Sequence, residues 1–158
     1  MTVSRRTLIL GVGNTLLGDE GIGVHAVHSL KAEQLPADVE LLDGGTLSFT
    51  LAGRIAGVQQ LIVIDAGNLA AEPGTVACFE AEAMDAFLGR SRGRSVHEVS
   101  LLDLLAIACL SGDLPERRAL IVVEPYSVAW SDRLSPALAR ALPFVSKKVR
   151  QLIDGWRQ

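Results

Sequence analysis

Two kinds of hydrophobic pattern alternate along the chain. Short, almost continuous runs of Ile, Val and Leu predict strands covered on both faces, as in a largely parallel sheet. Between them, the apolar residues follow the spacing of amphipathic helices. The predicted strands are residues 7–12, 39–43, 60–66, 75–80 and 119–123. The predicted helices are residues 22–34, 47–56, 81–88, 100–110 and 135–156.

This alternation predicts a single α/β domain over residues 1–158. It should have three layers: a twisted, mainly parallel sheet of about five strands with helices on both faces. The length suffices for one domain with a substantial core. Residues 89–94, with glycines and like charges, predict a flexible loop. Ligands of such folds bind beyond the carboxyl ends of the strands, so polar residues there are the candidates for chemistry.

Composition excludes several classes of function. With 18 acidic and 15 basic residues, the net charge is −3, and no basic footprint indicates nucleic acid. No apolar run approaches the roughly 20 residues of a membrane span, and the N-terminus lacks the pattern of a signal peptide. Cys78 and Cys109 lack C-x-x-C spacing and a nucleophile motif, so we expect buried free thiols. These features predict a soluble cytoplasmic protein.

The turn after the first predicted strand resembles a phosphate loop with the wrong charge. Gly13 and Gly18 have the G-x-x-x-x-G spacing, but Asp19 and Glu20 stand where a phosphate loop has Lys and Ser or Thr. The dinucleotide-binding pattern fails as well, because its third glycine would fall on Leu16. Two carboxylates at this point attract a cation and repel a phosphate.

Other predicted strands also end in acidic residues, namely Asp43, Asp65 and Glu124. Structural explanations exist for several of the acids at this edge. Asp19 is expected to cap the following helix, and Glu20 has an alternative role at the positive end of the helix dipole. Asp43 has an alternative role as a brace of the Gly-Gly turn. Asp65 ends an apolar run and needs a polar or charged partner there.

His97 adds an imidazole to the candidate residues. Together with Glu20 and Asp65 it makes a set of two carboxylates and one imidazole, which suits a first-row metal with open coordination positions. Magnesium usually takes oxygen ligands only, so nickel, zinc, iron or manganese is favoured. His25 and His28 are interpreted as ordinary residues of the first helix surface.

Six segments occur in a characteristic order. They are Leu10-Gly-Val-Gly-Asn14, Gly18-Asp-Glu-Gly-Ile-Gly-Val24, Asp43-Gly-Gly-Thr46, Ile64-Asp-Ala66, Pro73-Gly-Thr75 and Ser95-Val-His-Glu98. Together they resemble the maturation endopeptidases of nickel–iron hydrogenases. The resemblance implies a twisted, mainly parallel sheet flanked by helices. It also implies an aspartic-type peptidase that removes a C-terminal extension from the hydrogenase large-subunit precursor after nickel insertion.

The resemblance also assigns roles to residues. It implies that Glu20, Asp65 and His97 are the metal ligands and that Asp43, in D-G-G-T, is important for the reaction. Asp43, as a candidate general base, and the ligands Glu20 and Asp65 are therefore the predicted catalytic residues. Whether the metal or a carboxylate activates the attacking water stays open at this point.

The resulting hypothesis is a cytoplasmic endopeptidase whose nickel arrives with the substrate. Its expected partner is the large-subunit precursor, with no nucleic acid or membrane partner, and we expect a monomer. Two alternatives remain open: a non-hydrolytic nickel-binding maturation chaperone, and a small-molecule hydrolase on the same frame.

Overall fold

The computed structural model describes residues 5–90 and 100–158, and its five strands form one sheet. The strands are β1 (Thr7–Val12), β2 (Val39–Gly45), β3 (Gln60–Ala66), β4 (Val76–Glu80) and β5 (Arg117–Val123). Their order across the sheet is β2-β1-β3-β5-β4. All neighbouring pairs are parallel except β4 and β5, so β4 is an antiparallel edge strand. The predicted mainly parallel sheet is confirmed.

Five α-helices accompany the sheet in the described part of the chain. They are α1 (Ile22–Leu30), α2 (Ala52–Ala56), α3 (Glu82–Arg90), α4 (Leu101–Leu110) and α5 (Pro136–Trp156). Two 3-10 turns, Gly18–Gly21 and Phe49–Leu51, precede α1 and α2. Ser100 and Ser135 are the N-caps of α4 and α5, and each side chain accepts a bond from a backbone N–H three residues on.

Three helix boundaries differ from the prediction by two residues or more. Helix α1 stops before residue 34, because the N–H groups of Ala32 and Glu33 bond to carbonyls three residues back, which tightens the chain. Helix α2 starts late, since Ser48 and Thr50 bond through their hydroxyls in the preceding turn. Helix α3 extends to Arg90, so the first two residues of the predicted flexible loop are helical and residues 91–94 lie outside the described residues.

The two faces of the sheet carry separate cores, because successive side chains of a strand point to opposite faces. One set packs with α1 and α5: Ile9, Ile62, Ile64, Ile121 and Val123 from the strands, with Val27, Leu30, Leu138 and Val145 from the helices. The alternate set packs with α2, α3 and α4: Leu8, Leu10, Leu61, Val63 and Leu120, with Ile55, Met84 and Leu104. Each such side chain contributes about 1.5–3 kcal/mol by burial. Helices on both faces give the predicted three layers.

Helix α1 lies unusually close to the sheet. A Cβ at Gly23 would stand 2.0 Å from the carbonyl oxygen of Ile64, so only glycine permits this packing. The start of α1 is therefore fixed against the end of β3. This contact places the turn before α1 at the carboxyl edge of the sheet.

The two cysteines differ in burial. Both cysteines are free, but only Cys78 is half-buried; Cys109 is exposed on α4, so its predicted burial is wrong. The prediction failed because the apolar stretch of α4 continues onto its solvent face. Within residues 5–90 and 100–158, no helix is long and apolar enough to cross a membrane.

Candidate active site at the carboxyl edge of the sheet

The loop after β1 brings Glu20 to the carboxyl edge. Gly13 has φ +132°, and a Cβ there would lie 1.9 Å from the carbonyl oxygen of Glu20, so the loop folds tightly back on itself. The turn Gly18–Gly21 packs against β3. Asp65 is the penultimate residue of β3. The fold therefore brings the segments that carry these two predicted ligands to the same edge.

Glu20 and Asp65 are both half-buried. One carboxylate oxygen of Asp65 accepts a bond of 2.8 Å from the backbone N–H of Ala66. His97, the third predicted ligand, lies outside the described residues. Among the residues that are described, no three His, Cys, Asp or Glu side chains form a metal-binding group. Two carboxylates supply suitable oxygen donors for nickel, and the complete ligand set stays a prediction.

Asp43 lies near the carboxyl end of β2, two residues before the last residue of that strand, on the other side of β1 from β3. Its Oδ1 accepts a bond of 2.9 Å from the N–H of Gly45, which confirms the predicted brace of the Gly-Gly turn. Its Oδ2 lies 3.5 Å from Nε2 of His28 on α1. The side chain of Asp43 is exposed. The brace and the chemical role are therefore compatible, because the brace occupies only one oxygen.

A cavity of about 300 Å³ lies between the loop after β1 and the carboxyl end of β2. Its lining consists of Gly13, Asn14, Thr15, Val24, Asp43, Gly45 and Thr46. Side-chain amide and hydroxyl groups and one carboxylate thus meet in a concave space at the strand ends, where this class of fold binds its ligands.

Asp19 does not have the predicted role. Gly21 is the N-cap of α1, and no side chain caps that helix. The carboxylate of Asp19 is instead buried, with 1% exposure, and accepts four hydrogen bonds from the chain after β5. The donors are the N–H of Tyr126 (2.9 Å), the N–H of Ser127 (3.0 Å), and the N–H (2.7 Å) and hydroxyl (2.8 Å) of Ser135.

The ionisation of Asp19 follows from these bonds. Burial alone would raise the pKa of the carboxyl group, but the hydrogen bonds from Ser135, Ser127 and Tyr126 outweigh it and hold the pKa below its ordinary value. Asp19 is thus a charged structural anchor between the turn that carries Glu20 and the start of α5.

Glu124 also has a structural role. Its two carboxylate oxygens accept bonds from the N–H groups of Leu69 (3.2 Å) and Ala71 (3.3 Å), and so brace the chain after β3. Glu20, Asp43 and Asp65 therefore remain as the acids of this edge with candidate chemical roles.

The sequence predicts an ordinary surface histidine at position 28 and does not indicate its contact with Asp43. It depends on α1 lying beside the parallel pair β1–β2, and no local spacing reveals it. His25 differs from His28: it is half-buried, and its Nε2 has no hydrogen-bond partner among the described residues. Burial and, secondarily, the charge of His28 lower the pKa of His25.

A larger groove of about 560 Å³ lies elsewhere, between β4 and α5. It contains Cys78, Phe144 and Lys148 but none of the predicted site residues. Burial raises the pKa of the Cys78 thiol, which disfavours the reactive thiolate. Size alone therefore does not identify the site, and the smaller cavity at the strand ends is the better candidate.

Comparison with known proteins places this fold in one class of peptidases. The family model HycI, hydrogenase maturation protease, matches residues 24–152, a range that includes Asp43, Asp65 and His97 and begins just after Glu20. The chain belongs to the hydrogenase maturation protease family.

Individual relatives agree with this assignment. The hydrogenase expression/formation protein HupD of Rhodobacter capsulatus is 37% identical over 150 residues, which cover 93% of this chain and 71% of the relative. Hydrogenase 2 maturation protease of Escherichia coli K12 is 37% identical over 135 residues, which cover 84% of this chain and 81% of the relative. The solved structure of the hydrogenase maturating endopeptidase HybD from E. coli superposes with a TM-score of 0.81 at 36% identity, covering 92% of this chain and 93% of that one.

Proposed function

We propose that this chain is the endopeptidase that removes the C-terminal extension from the nickel-loaded large-subunit precursor of a nickel–iron hydrogenase. Membership of the hydrogenase maturation protease family is the observation that carries this proposal. The carboxylates at the strand ends support it, because hydrolysis of a peptide bond needs a base or a metal to activate water.

Nickel belongs to the substrate in this proposal. Glu20 and Asp65 supply two oxygen donors at one edge of the sheet, and His97 would supply the imidazole nitrogen. Three protein ligands leave coordination positions that groups of the precursor fill. A precursor without nickel then lacks part of its binding energy, so cleavage occurs only after the metal has been inserted.

Asp43 is the candidate general base in an aspartic-type mechanism. Its carboxylate is exposed to the cavity at the strand ends, and the bond from Gly45 fixes its orientation while leaving the second oxygen near His28. That oxygen is available to accept a proton from water as the water attacks the scissile carbonyl. Nickel held by Glu20 and Asp65 would polarise the carbonyl or the water.

Intact mass spectrometry of the precursor separates the proposed function from its alternatives. Purified protein is incubated with nickel-loaded and nickel-free large-subunit precursor from cells that lack the protease. We expect loss of the mass of one C-terminal peptide from the nickel-loaded form only. Binding without any change in mass would favour a non-hydrolytic chaperone, and neither binding nor cleavage would favour a small-molecule hydrolase.

A matched pair of variants ties cleavage to the predicted ligands. Glu20→Gln removes a charged ligand without changing the side-chain length and should abolish processing, whereas Glu72→Gln, at an exposed position, should not. His97→Ala should act like Glu20→Gln. Processing by folded Glu20→Gln at the wild-type rate would refute the role of Glu20.

A further inference from the structure

Four large apolar side chains are exposed on the two loops that meet above the carboxyl edge. Trp130 is 80% exposed and Tyr126 72%, and Val128 and Leu16 are also exposed. Single exposed apolar residues are common on protein surfaces. Four on two adjoining loops, including a Trp and a Tyr, are the composition of an interaction surface. We name these four residues the apolar platform.

Backbone hydrogen bonds hold the two loops of the apolar platform together. The N–H of Ser131 donates to the carbonyl of Leu16 (3.0 Å), and the N–H of Gly18 donates to the carbonyl of Ser131 (2.9 Å). The N–H of Asp19 donates to the carbonyl of Ser127 (2.9 Å). The buried carboxylate of Asp19 adds its four bonds to the same segment. The exposed side chains therefore stand on a fixed support, which lowers the entropy lost when a partner binds.

The apolar platform is continuous with the candidate site. Asp19 and Glu20 are neighbours in the turn Gly18–Gly21, so the residue that anchors the platform adjoins a predicted nickel ligand. Asp132 and Arg133, both exposed, follow Trp130 and supply a polar border. Exposed aromatic residues with a polar border are the usual arrangement at a protein–protein contact.

We propose that the apolar platform is the docking surface for the folded body of the large-subunit precursor, and that it binds an apolar patch of that protein. This proposal rests on the proposed function. A second copy of the chain is the less favoured occupant, because a partner bound here would lie against the turn of Glu20 and obstruct the substrate. In the proposed complex, Trp130 and Tyr126 provide apolar contact area, and their N–H and O–H groups bond at its margin.

The test compares steady-state processing of nickel-loaded precursor by wild type, Trp130→Ala, Trp130→Phe and the double variant Tyr126→Ala/Trp130→Ala. Leu110→Ala is the matched control, since Leu110 is 89% exposed at the far end of α4. We expect KM to rise at least tenfold for Trp130→Ala and further for the double variant. The value of kcat should stay within about twofold, Trp130→Phe should restore most of the affinity, and Leu110→Ala should match wild type.

These measurements distinguish failure of the docking proposal from failure of the proposed endopeptidase function. Thermal denaturation shows whether the variants stay folded, as their exposure predicts. If wild type binds the precursor without cleaving it, the proposed endopeptidase function fails, and the dissociation constants of the same variants still test the platform. Wild-type KM or Kd in the folded double variant overturns the docking proposal. If wild type forms a dimer and the double variant disrupts that dimer without changing KM, the platform binds a second copy of the chain. This result also overturns the docking proposal.

Discussion

The loop after β1 and the carboxyl end of β2 use aspartate in opposite ways. Asp19 is buried and accepts four hydrogen bonds from residues more than one hundred positions later in the chain. Asp43 is exposed, accepts one bond from its own turn and leaves its second oxygen beside His28. A carboxylate at the ligand-binding edge is therefore not by itself catalytic. The bonds that it already accepts decide whether it stabilises the fold or is available for chemistry.

The largest expected effect is on activity, at Asp43. Asp43→Asn keeps the oxygen that braces Gly45 but removes the base, so processing of nickel-loaded precursor should fall by about 10²–10⁴. The melting temperature should hardly change, because the side chain is exposed. Initial rates by intact mass spectrometry and thermal denaturation measure both quantities. The exposed Asp113→Asn is the control, and wild-type rates in Asp43→Asn would remove Asp43 from the mechanism.

Asp19→Asn, unlike Asp43→Asn, should mainly reduce the stability of the fold. An amide offers one acceptor oxygen where the carboxylate offers two, so partly buried donors after β5 lose their partners. Unfolding free energy should fall by about 2–4 kcal/mol, which lowers Tm by about 5–15 °C for a chain of this size. Thermal unfolding followed by calorimetry or circular dichroism measures this loss of stability. If Asp19→Asn is as stable as wild type, Asp19 is not a structural anchor and does not differ from Asp43 in that respect.

The same contrast predicts a dependence of stability on pH. The pKa of Asp19 is lower in the folded chain than in the unfolded chain, where it is near 3.9. Its stabilisation is thus fully present above about pH 4 and is lost as pH falls through the lowered folded-state pKa. The Tm difference between wild type and Asp19→Asn should be constant at neutral pH and shrink below about pH 4. A difference that grows on acidification would contradict the assignment of charge to Asp19.

The smallest expected effect concerns the two histidines of α1. His28→Ala removes the group 3.5 Å from Asp43 and should lower the processing rate by a few-fold, since Asp43 stays braced by its turn. His25→Ala should leave the rate unchanged, because burial and the neighbouring His28 lower the pKa of His25 and favour its neutral form. Rate measurements on both folded variants decide this. Equal losses would mean that His28 acts through α1 and not through Asp43.

Much of the fold follows from local pattern. The apolar runs of β1 and β3 match the observed strands at both ends, because buried parallel strands are apolar almost throughout. Ser100 and Ser135 mark the starts of α4 and α5. The end of α1 was harder to place, since residues 31–34 favour a helix and only the tightening of the last turn ends it.

The site was predictable in part. The strand-end rule selects Asp43 and Asp65, and the Gly-rich loop selects Glu20, without any knowledge of contacts. The role of Asp19 was not predictable, because its partners lie beyond β5 and reach it only through tertiary packing. The contact of His28 with Asp43 likewise requires the strand order β2-β1-β3 and the packing of α1 against these strands. Sequence pattern thus identifies residues at the edge, and the fold separates Asp19 and Glu124, which stabilise the structure, from the candidates for chemistry.

Calorimetric titration of the protein with nickel-loaded and nickel-free precursor tests most directly whether nickel is recognised as part of the substrate. We expect at least tenfold tighter binding of the nickel-loaded form by wild type, and the loss of that difference in Glu20→Gln. Asp43→Asn should keep the difference, since it lacks the base and not a ligand. Equal affinity of wild type for both forms would contradict recognition of the metal and leave nickel a catalytic role only.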